Sequence, residues 1–236
     1  MAPQNRADGD GQARRRVVLG ATSYADAEGG LGIAVELARH AGAELHGLLV
    51  RDVVSLGAVR VFRVRAVSFS GEVAEEVTET ALLRAYQADA RHFSERLRGV
   101  ARLARLQANF HAIEGRLWET VQEAAGPGGV AVFGYRRAMD DSGSVVLVLG
   151  EGHAVPGFVA VLAAGLKKRL LVLSDASPPA GVAGEVFHGP DDLLRRLGAL
   201  SPAAVIIAAD PAILPPVARL VEAARCPVVV AAAEEG

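Results

Sequence analysis

Three consecutive segments decide the fold: Arg16-Val-Val-Leu-Gly-Ala-Thr-Ser23, the helix-like Gly32-Ile-Ala-Val-Glu-Leu-Ala-Arg-His-Ala-Gly42, and Ala43-Glu-Leu-His-Gly-Leu-Leu-Val-Arg-Asp52. The first is a short β-branched run closed by small residues. A Gly-rich connection leads into apolar residues at helical spacing that end on glycine, and a second apolar run follows. Together they read as one βαβ unit. Parallel strands buried on both faces need continuous apolar runs rather than alternation, and Val17-Val-Leu19 and Leu48-Leu-Val50 supply them.

Outward from this unit the same grammar repeats. Val53 to Gly71 contains Val59-Arg-Val-Phe-Arg-Val-Arg-Ala-Val-Ser-Phe69, where apolar and polar residues alternate imperfectly, and it is open between an edge strand, a hairpin arm and an extended loop over the sheet edge. Glu72 to Leu106 reads as one long helix, with Val73, Val77, Ala81, Phe93, Leu97, Val100 and Ala104 on one side, acids at its start and arginines at its end. Asn109 to Glu114 is a strand, Arg116 to Ala125 a helix stopped by Gly126-Pro-Gly-Gly129, and Val130 to Gly134 a buried strand before the polar loop Tyr135 to Ser142.

The pattern then restarts. Ser144 to Gly150 resembles Arg16 to Gly20; helix Val155 to Leu166 and strand Arg169 to Ser174 follow, with the loop Ser177 to Gly184 where the first half has its long helix. Glu185 to His188, helix Pro190 to Leu200, strand Ala203 to Ala209, helix Ile213 to Ala224 and strand Pro227 to Ala232 complete the series. We read a duplication: a disordered leader at 1–15, a first α/β domain at 16–142, and a shortened second one at 143–236.

Composition limits the function classes. Hydrophobic residues make up 51% of 236 and the mean hydropathy is +0.27, yet the most apolar stretch, Ala154 to Leu173, is interrupted by Pro156 and Lys167-Lys-Arg169, so no membrane insertion is expected. The net charge of −2 gives no field that attracts nucleic acid. The arginines ending the long helix have no interleaved aromatics and read as a solvated face. The single cysteine, Cys226, excludes an intramolecular disulfide and reads as a buried structural thiol. Met1 to Arg15 has no apolar core of a secretory signal, and a cytoplasmic location is expected.

At this point the chain resembles a tandem, two-domain proteobacterial member of the universal stress protein superfamily. The likeness is carried by Val17-Val-Leu-Gly-Ala-Thr-Ser23, by Ala34 to Leu45 leading into Gly47-Leu-Leu-Val-Arg-Asp52, by the long helix before the third strand, by Val130-Ala-Val-Phe-Gly134 and by Cys226-Pro-Val-Val-Val230. The resemblance implies two tandem Rossmann-like parallel-sheet domains, five strands in a complete one, with a nucleotide crevice above the first and fourth strands in the ATP-binding branch. Doubly wound sheets place ligands there in any case. That branch carries an Asp soon after the first strand and a Gly-x2-Gly-x9-Gly-Ser/Thr loop after the fourth. Here Ala21-Thr22-Ser23 stands first and Asp26 comes later; Arg137 replaces the second glycine; and Gly143-Ser144 lies nine rather than thirteen positions after Gly134. Side chains at glycine positions block the close approach of backbone N–H groups to phosphate. Arg136 and Arg137 still offer charge-assisted hydrogen bonds to an anion.

The six histidines show no metal-ligand spacing, no Gly-x-Ser-x-Gly elbow or Gly-x4-Gly-Lys loop occurs, and Gly150-Glu-Gly152 lacks the third glycine of a dinucleotide fingerprint and reads as a tight βα turn. His40 reads as a helix-end partner, His111 and His188 as strand residues, and Trp118 as core or interface. Two functions follow. The first is a non-enzymatic, cytoplasmic stress-response or regulatory protein that acts through contacts with an unknown protein or a second copy, its halves packed as an internal pseudo-dimer. The second is a sensor of ATP, AMP or another anion at Thr22, Ser23, Arg136, Arg137, Gly143 and Ser144. No catalytic residue, metal or obligatory cofactor is expected.

Overall fold

The computed structural model describes residues 15–52, 65–67, 73–76, 78–136 and 143–231. Residues 1–14 of the leader, most of 53–72 and the loop 137–142 with Arg137 lie outside them. The first half holds β1 (Arg16–Ala21), α1 (Tyr24–Ala41), β2 (Glu44–Asp52), β3 (Arg65–Val67), β4 (Val73–Glu76), α2 (Glu79–Ala104), β5 (Ala108–Gly115), α3 (Leu117–Ala125) and β6 (Val130–Phe133). The second holds β7 (Val145–Leu149), α4 (Phe158–Gly165), β8 (Leu170–Ser174), β9 (Gly184–Val186), α5 (Pro190–Leu200), β10 (Ala204–Ala208), α6 (Val217–Ala224) and β11 (Val228–Ala231).

Nine of these strands form one sheet in the order β5-β2-β1-β6-β11-β10-β7-β8-β9. Every neighbouring pair is parallel except β6 and β11, which run antiparallel with Phe133 opposite Val228 and Val130 opposite Ala231. The protein is thus an α/β fold of two parallel halves fused through one antiparallel seam. The first half contributes four strands and the second five. The position next to β6 that a fifth strand would fill is taken by β11 of the second half.

The topology follows from handed crossovers. The chain moves outward from β1 to β2 to β5, then returns to the other side of β1 as β6, so α1 and α2 lie on one face and α3 on the opposite one. The second half repeats this, with α4 on the face of α1 and with α5 and α6 on the face of α3. Side chains alternate between the two cores: Val17, Leu19, Val145, Leu147 and Leu149 face α1, α2 and α4, whereas Val18, Val146 and Val148 face α3, α5 and α6. Phe93 and Leu97 of α2 and Leu193 and Leu197 of α5 are fully buried against opposite faces. Helix ends obey local chemistry. Gly42 closes α1 in the left-handed conformation (φ 59°), its N–H returning to the Ala38 and Arg39 carbonyls.

Several element boundaries differ from the sequence reading. The long helix starts at Glu79, not Glu72, because Thr78 adopts extended backbone and its Oγ1 accepts the Ala81 N–H at 3.2 Å. Residues 73–76 before it are β4, which pairs antiparallel with β3, so 65–67 form a hairpin arm outside the main sheet. Pro156 and Gly157 delay α4 to Phe158. Asp210 caps a separate 3-10 turn, Pro211–Ile213, rather than α6, which begins after Pro215-Pro216. β9 ends at Val186, so His188 lies in the connection to α5, its N–H donated to Asp192 at 2.9 Å. Trp118 packs on Phe133 with ring centroids 4.7 Å apart, and Cys226 is buried.

Two outcomes test this architecture. Phe133 is fully buried at the seam, so Phe133→Ala is expected to lower stability by about 3–5 kcal/mol in urea titration. At the start of α5, the His188 N–H and the Arg196 guanidinium hold the Asp192 carboxyl at about 2, below the ordinary value near 3.8. A depressed folded-state value means the stabilisation is present above the unfolded value and is lost as pH falls towards 2. Between about pH 4 and pH 2, therefore, the wild type should lose stability more steeply than Asp192→Asn, as read by thermal melts along the pH series.

Candidate functional site

In an open doubly wound sheet a crevice forms where strand order reverses, at the C-terminal strand edge. In the first half this is the gap between β1 and β6, which run in parallel register from Val17 opposite Val130 to Gly20 opposite Phe133. Gly134 continues the pairing, its N–H reaching the Gly20 carbonyl at 2.8 Å.

The first turn of α1 occupies that gap. Ser23 is the N-cap in extended backbone (φ −141°, ψ 162°), and its Oγ accepts the Asp26 N–H at 3.2 Å. The same hydroxyl donates to Asp26 Oδ2 at 2.7 Å, and Thr22 Oγ1 donates to that oxygen at 3.3 Å. The second oxygen, Oδ1, accepts the backbone N–H of Arg136 at 3.0 Å. The Asp26 carboxylate thus gathers three donors from two loops and lies in the first turn of α1, the position that the helix dipole favours for an anion.

Packing seals the arrangement. A Cβ on Gly134 would stand 2.5 Å from the Asp26 carbonyl oxygen, and one on Gly30 would stand 3.2 Å from Gly134 Cα. Helix and loop meet backbone to backbone, and only glycine fits there. What stays open is a shallow depression of about 320 Å³ on the outer side, lined by Ala25, Glu28, Gly29 and Arg136. Glu28 there accepts the Tyr24 hydroxyl at 3.1 Å, and burial, followed by this hydrogen bond, pushes the Tyr24 phenol up. The Tyr24 N–H is donated to Asp89 of α2 at 3.1 Å.

The residues singled out from sequence divide into three groups. Thr22, Ser23 and the Arg136 backbone come together around Asp26. Gly143 and Ser144 do not join them. They lie at the start of β7, where the Ser144 carbonyl accepts the Ala203 N–H at 2.8 Å and a Cβ on Gly143 would stand 2.5 Å from the Ser201 carbonyl oxygen. β11 and β10 separate β7 from β6, so the two strands stand three spacings of about 4.8 Å apart. Arg137 is outside the described residues. The sequence reading sets Asp26 aside as too far from the strand, although Ser23-Tyr-Ala-Asp26 has the spacing of a capping box, in which the fourth residue reaches back across the first turn.

A second polar cluster stands on the same edge. Arg51 pairs with Glu114 across β2 and β5 and lies 5.4 Å from the Tyr86 ring centroid. The Tyr86 hydroxyl donates to the Leu49 and Ile113 carbonyls at 2.8 and 3.2 Å, and burial raises its pKa. At the second half's crevice, on the opposite sheet edge, the Gly150 N–H donates to the Ala208 carbonyl and the His153 N–H to the Gly150 carbonyl. This is a tight turn with Gly152 at φ 75°. Among the described residues no group of three or more His, Cys, Asp or Glu side chains is arranged to hold a metal ion.

No family model matches the chain, and no curated protein matches it. Among solved structures it is similar to a universal stress protein from Archaeoglobus fulgidus at 9% identity and TM-score 0.44, covering 92% of this chain and 95% of that one. It is similar to a universal stress protein family member from Burkholderia pseudomallei at 12% identity and TM-score 0.33, covering 94% and 99%. A functionally unknown protein from Pseudomonas aeruginosa aligns at 15% identity and TM-score 0.41, covering 93% of each chain. The fold itself is established by its strand order and register.

Asp26→Ala strips the Arg136 N–H and two hydroxyls of their acceptor and should cost about 1–3 kcal/mol by chemical denaturation. Gly134→Ala meets fixed backbone rather than a flexible side chain, and a loss of about 1–3 kcal/mol is expected from the same measurement.

Proposed function

We propose that this chain is a non-enzymatic stress-response or regulatory protein of the universal stress protein type, cytoplasmic, and active through contacts with another protein or a second copy of itself. One observation carries the reading: Asp26 already fills the anion position at the N-terminus of α1. A phosphate entering there would have to displace a carboxylate that holds three hydrogen bonds, and would meet its like charge at close range. The backbone N–H groups that a phosphate loop presents outward are turned here towards Asp26 and Gly20. The open depression beside them carries Glu28, whose charge opposes an anion, and, among the described residues, the guanidinium of Arg136.

An architecture of this kind hosts many activities, so the chemistry of the site decides among them. The polar groups at this edge are tied to one another: the Ser23 and Thr22 hydroxyls both donate to Asp26 Oδ2 while the Ser23 oxygen accepts the Asp26 N–H, a helix-capping arrangement that supports a non-catalytic role. No helix among the described residues is long and apolar enough to cross a membrane.

The test has two arms. Thermal shift of the full chain with ATP, ADP, AMP and inorganic phosphate should give no stabilisation, whereas a ligand at roughly a hundredfold excess over its Kd would add about 2.7 kcal/mol. In vivo crosslinking with mass spectrometry should recover a defined partner or a homodimer. A nucleotide-induced shift makes the chain an anion sensor and overturns the reading; a solitary monomer that turns over a metabolite overturns it as well.

A further inference from the structure

We propose that the free edge of β5, flanked by a row of arginines on α2, seats an extended acidic segment of a partner protein, which joins the sheet as a further strand. The inference rests on the protein-contact reading above and gives that contact a place and a chemistry.

The two edges of the sheet are built differently. β9 is three residues long, and Pro178 stands against it, its Cβ 2.7 Å from where a Cβ on Gly184 would lie. A short strand with proline beside it resists pairing with another chain. β5 has neither protection. It runs for eight residues without proline and pairs with β2 in unbroken register, from Leu45 opposite Ala108 to Asp52 opposite Gly115. Backbone N–H and C=O groups alternate in direction along a strand. The Gln107 carbonyl accepts the Leu45 N–H, so the groups of Asn109, His111 and Ile113 turn towards β2, and those of Ala108, Phe110, Ala112 and Glu114 turn outward. No described strand pairs with this outward set.

Charge selects the occupant. α2 lies over β2 and β5, with the Tyr86 hydroxyl on the Ile113 carbonyl and the Phe93 ring edge-on to Phe110 at 5.3 Å. One flank of the helix faces α1: Asp89 accepts the Tyr24 N–H, and His92 meets the Tyr24 ring. At about 100° per residue, Arg84, Arg91, Arg98 and Arg102 fall on the opposite flank, on the side of the free β5 edge. All four are exposed, and among the described residues none has a carboxylate within ion-pair distance. Glu95 stands further towards solvent and pairs with none of them, while Glu114 at the far end of β5 is engaged by Arg51. From Arg84 to Arg98 the row covers about 21 Å, the length of six or seven extended residues.

A strand laid along β5 therefore meets unpaired backbone groups beside it and guanidinium groups above it. That pairing favours Asp or Glu at alternate positions, on the α2 face, with main-chain hydrogen bonds holding the segment and charge choosing it. The same row opposes two other candidates. A second copy of β5 related by a two-fold axis brings two arginine rows face to face, and the stretch 53–64 of this chain carries Arg60 and Arg63 and no acid.

The test is fluorescence anisotropy on the full chain with a labelled Thr-Glu-Val-Glu-Thr-Glu-Val peptide and its lysine counterpart. The acidic peptide should bind about tenfold or more tightly than the basic one, more weakly as salt rises, and should slow amide hydrogen exchange across 108–114. Of two forms N-methylated at alternate amides, one should lose binding and the other keep it, because only one set faces β5. Arg91→Glu/Arg98→Glu should abolish binding with an unchanged thermal melt. Ala112→Pro removes one outward donor, leaves the β2 ladder intact and should weaken binding about fivefold or more. No binding of the acidic peptide, equal binding of the basic one, the same result for both methylated forms, or indifference to the arginine substitutions overturns the proposal. So does a concentration-dependent dimer that Ala112→Pro disperses, or tighter, Arg91-dependent binding to a single-stranded oligonucleotide. Crosslinked partners that persist in Arg91→Glu/Arg98→Glu put the contact elsewhere and leave the protein-contact reading standing; a wild type without partners overturns both.

Discussion

The structure depends on the antiparallel ladder between β6 and β11. β6 is four residues long, buried along Ala131, Val132 and Phe133, and among the described residues the first half has no strand of its own on its outer side. A buried strand edge with unpaired N–H and C=O groups is costly, because no water reaches it to compensate. β11 resolves this by pairing with β10 on one side and β6 on the other, so that one strand completes both halves. The two cores on either face of the sheet run continuously across this seam, with Val132 and Val229 in one and Phe133 and Val228 in the other.

The seam also fixes where ligand-type crevices fall. Because the halves run antiparallel, their C-terminal strand edges lie on opposite sides of the sheet, and the β1/β6 crevice cannot share residues with the β7/β10 crevice. The start of β7 does fall on the same edge as the end of β1, but β6, β11 and β10 stand between them, which is why Ser144 lies by Ala203 and not by Thr22. Each crevice carries its own local structure: an internal carboxylate bound by two loops in the first half, and a tight turn at Gly150 in the second.

Much of the fold was legible in the sequence. Runs such as Val17-Val-Leu19 and Val145-Val-Leu-Val-Leu149 are apolar on both parities, as a strand buried on both faces requires, and β7, β8, β10 and β11 all fall where such runs stand. Boundaries failed where a helical apolar period continued past a local stop: Val73 and Val77 match the period of α2, yet the Thr78 cap starts the helix after them. Ile213 matches the period of α6, but Pro215 and Pro216 postpone it. The site was half legible. Thr22, Ser23 and Arg136 stand out because they sit at strand ends, whereas the role of Asp26 depends on a contact with a residue 110 positions away, which no local spacing encodes. The register that pairs Phe133 with Val228 was illegible for the same reason.

The shared strand has a further consequence for how the molecule comes into being. A ribosome delivers β6 long before β11, with roughly 100 residues between them, and at about 5–20 residues per second the interval lasts several seconds. Throughout it the first half carries an apolar edge that its own described strands leave uncovered. Completion of the N-terminal half therefore waits on the synthesis of β11.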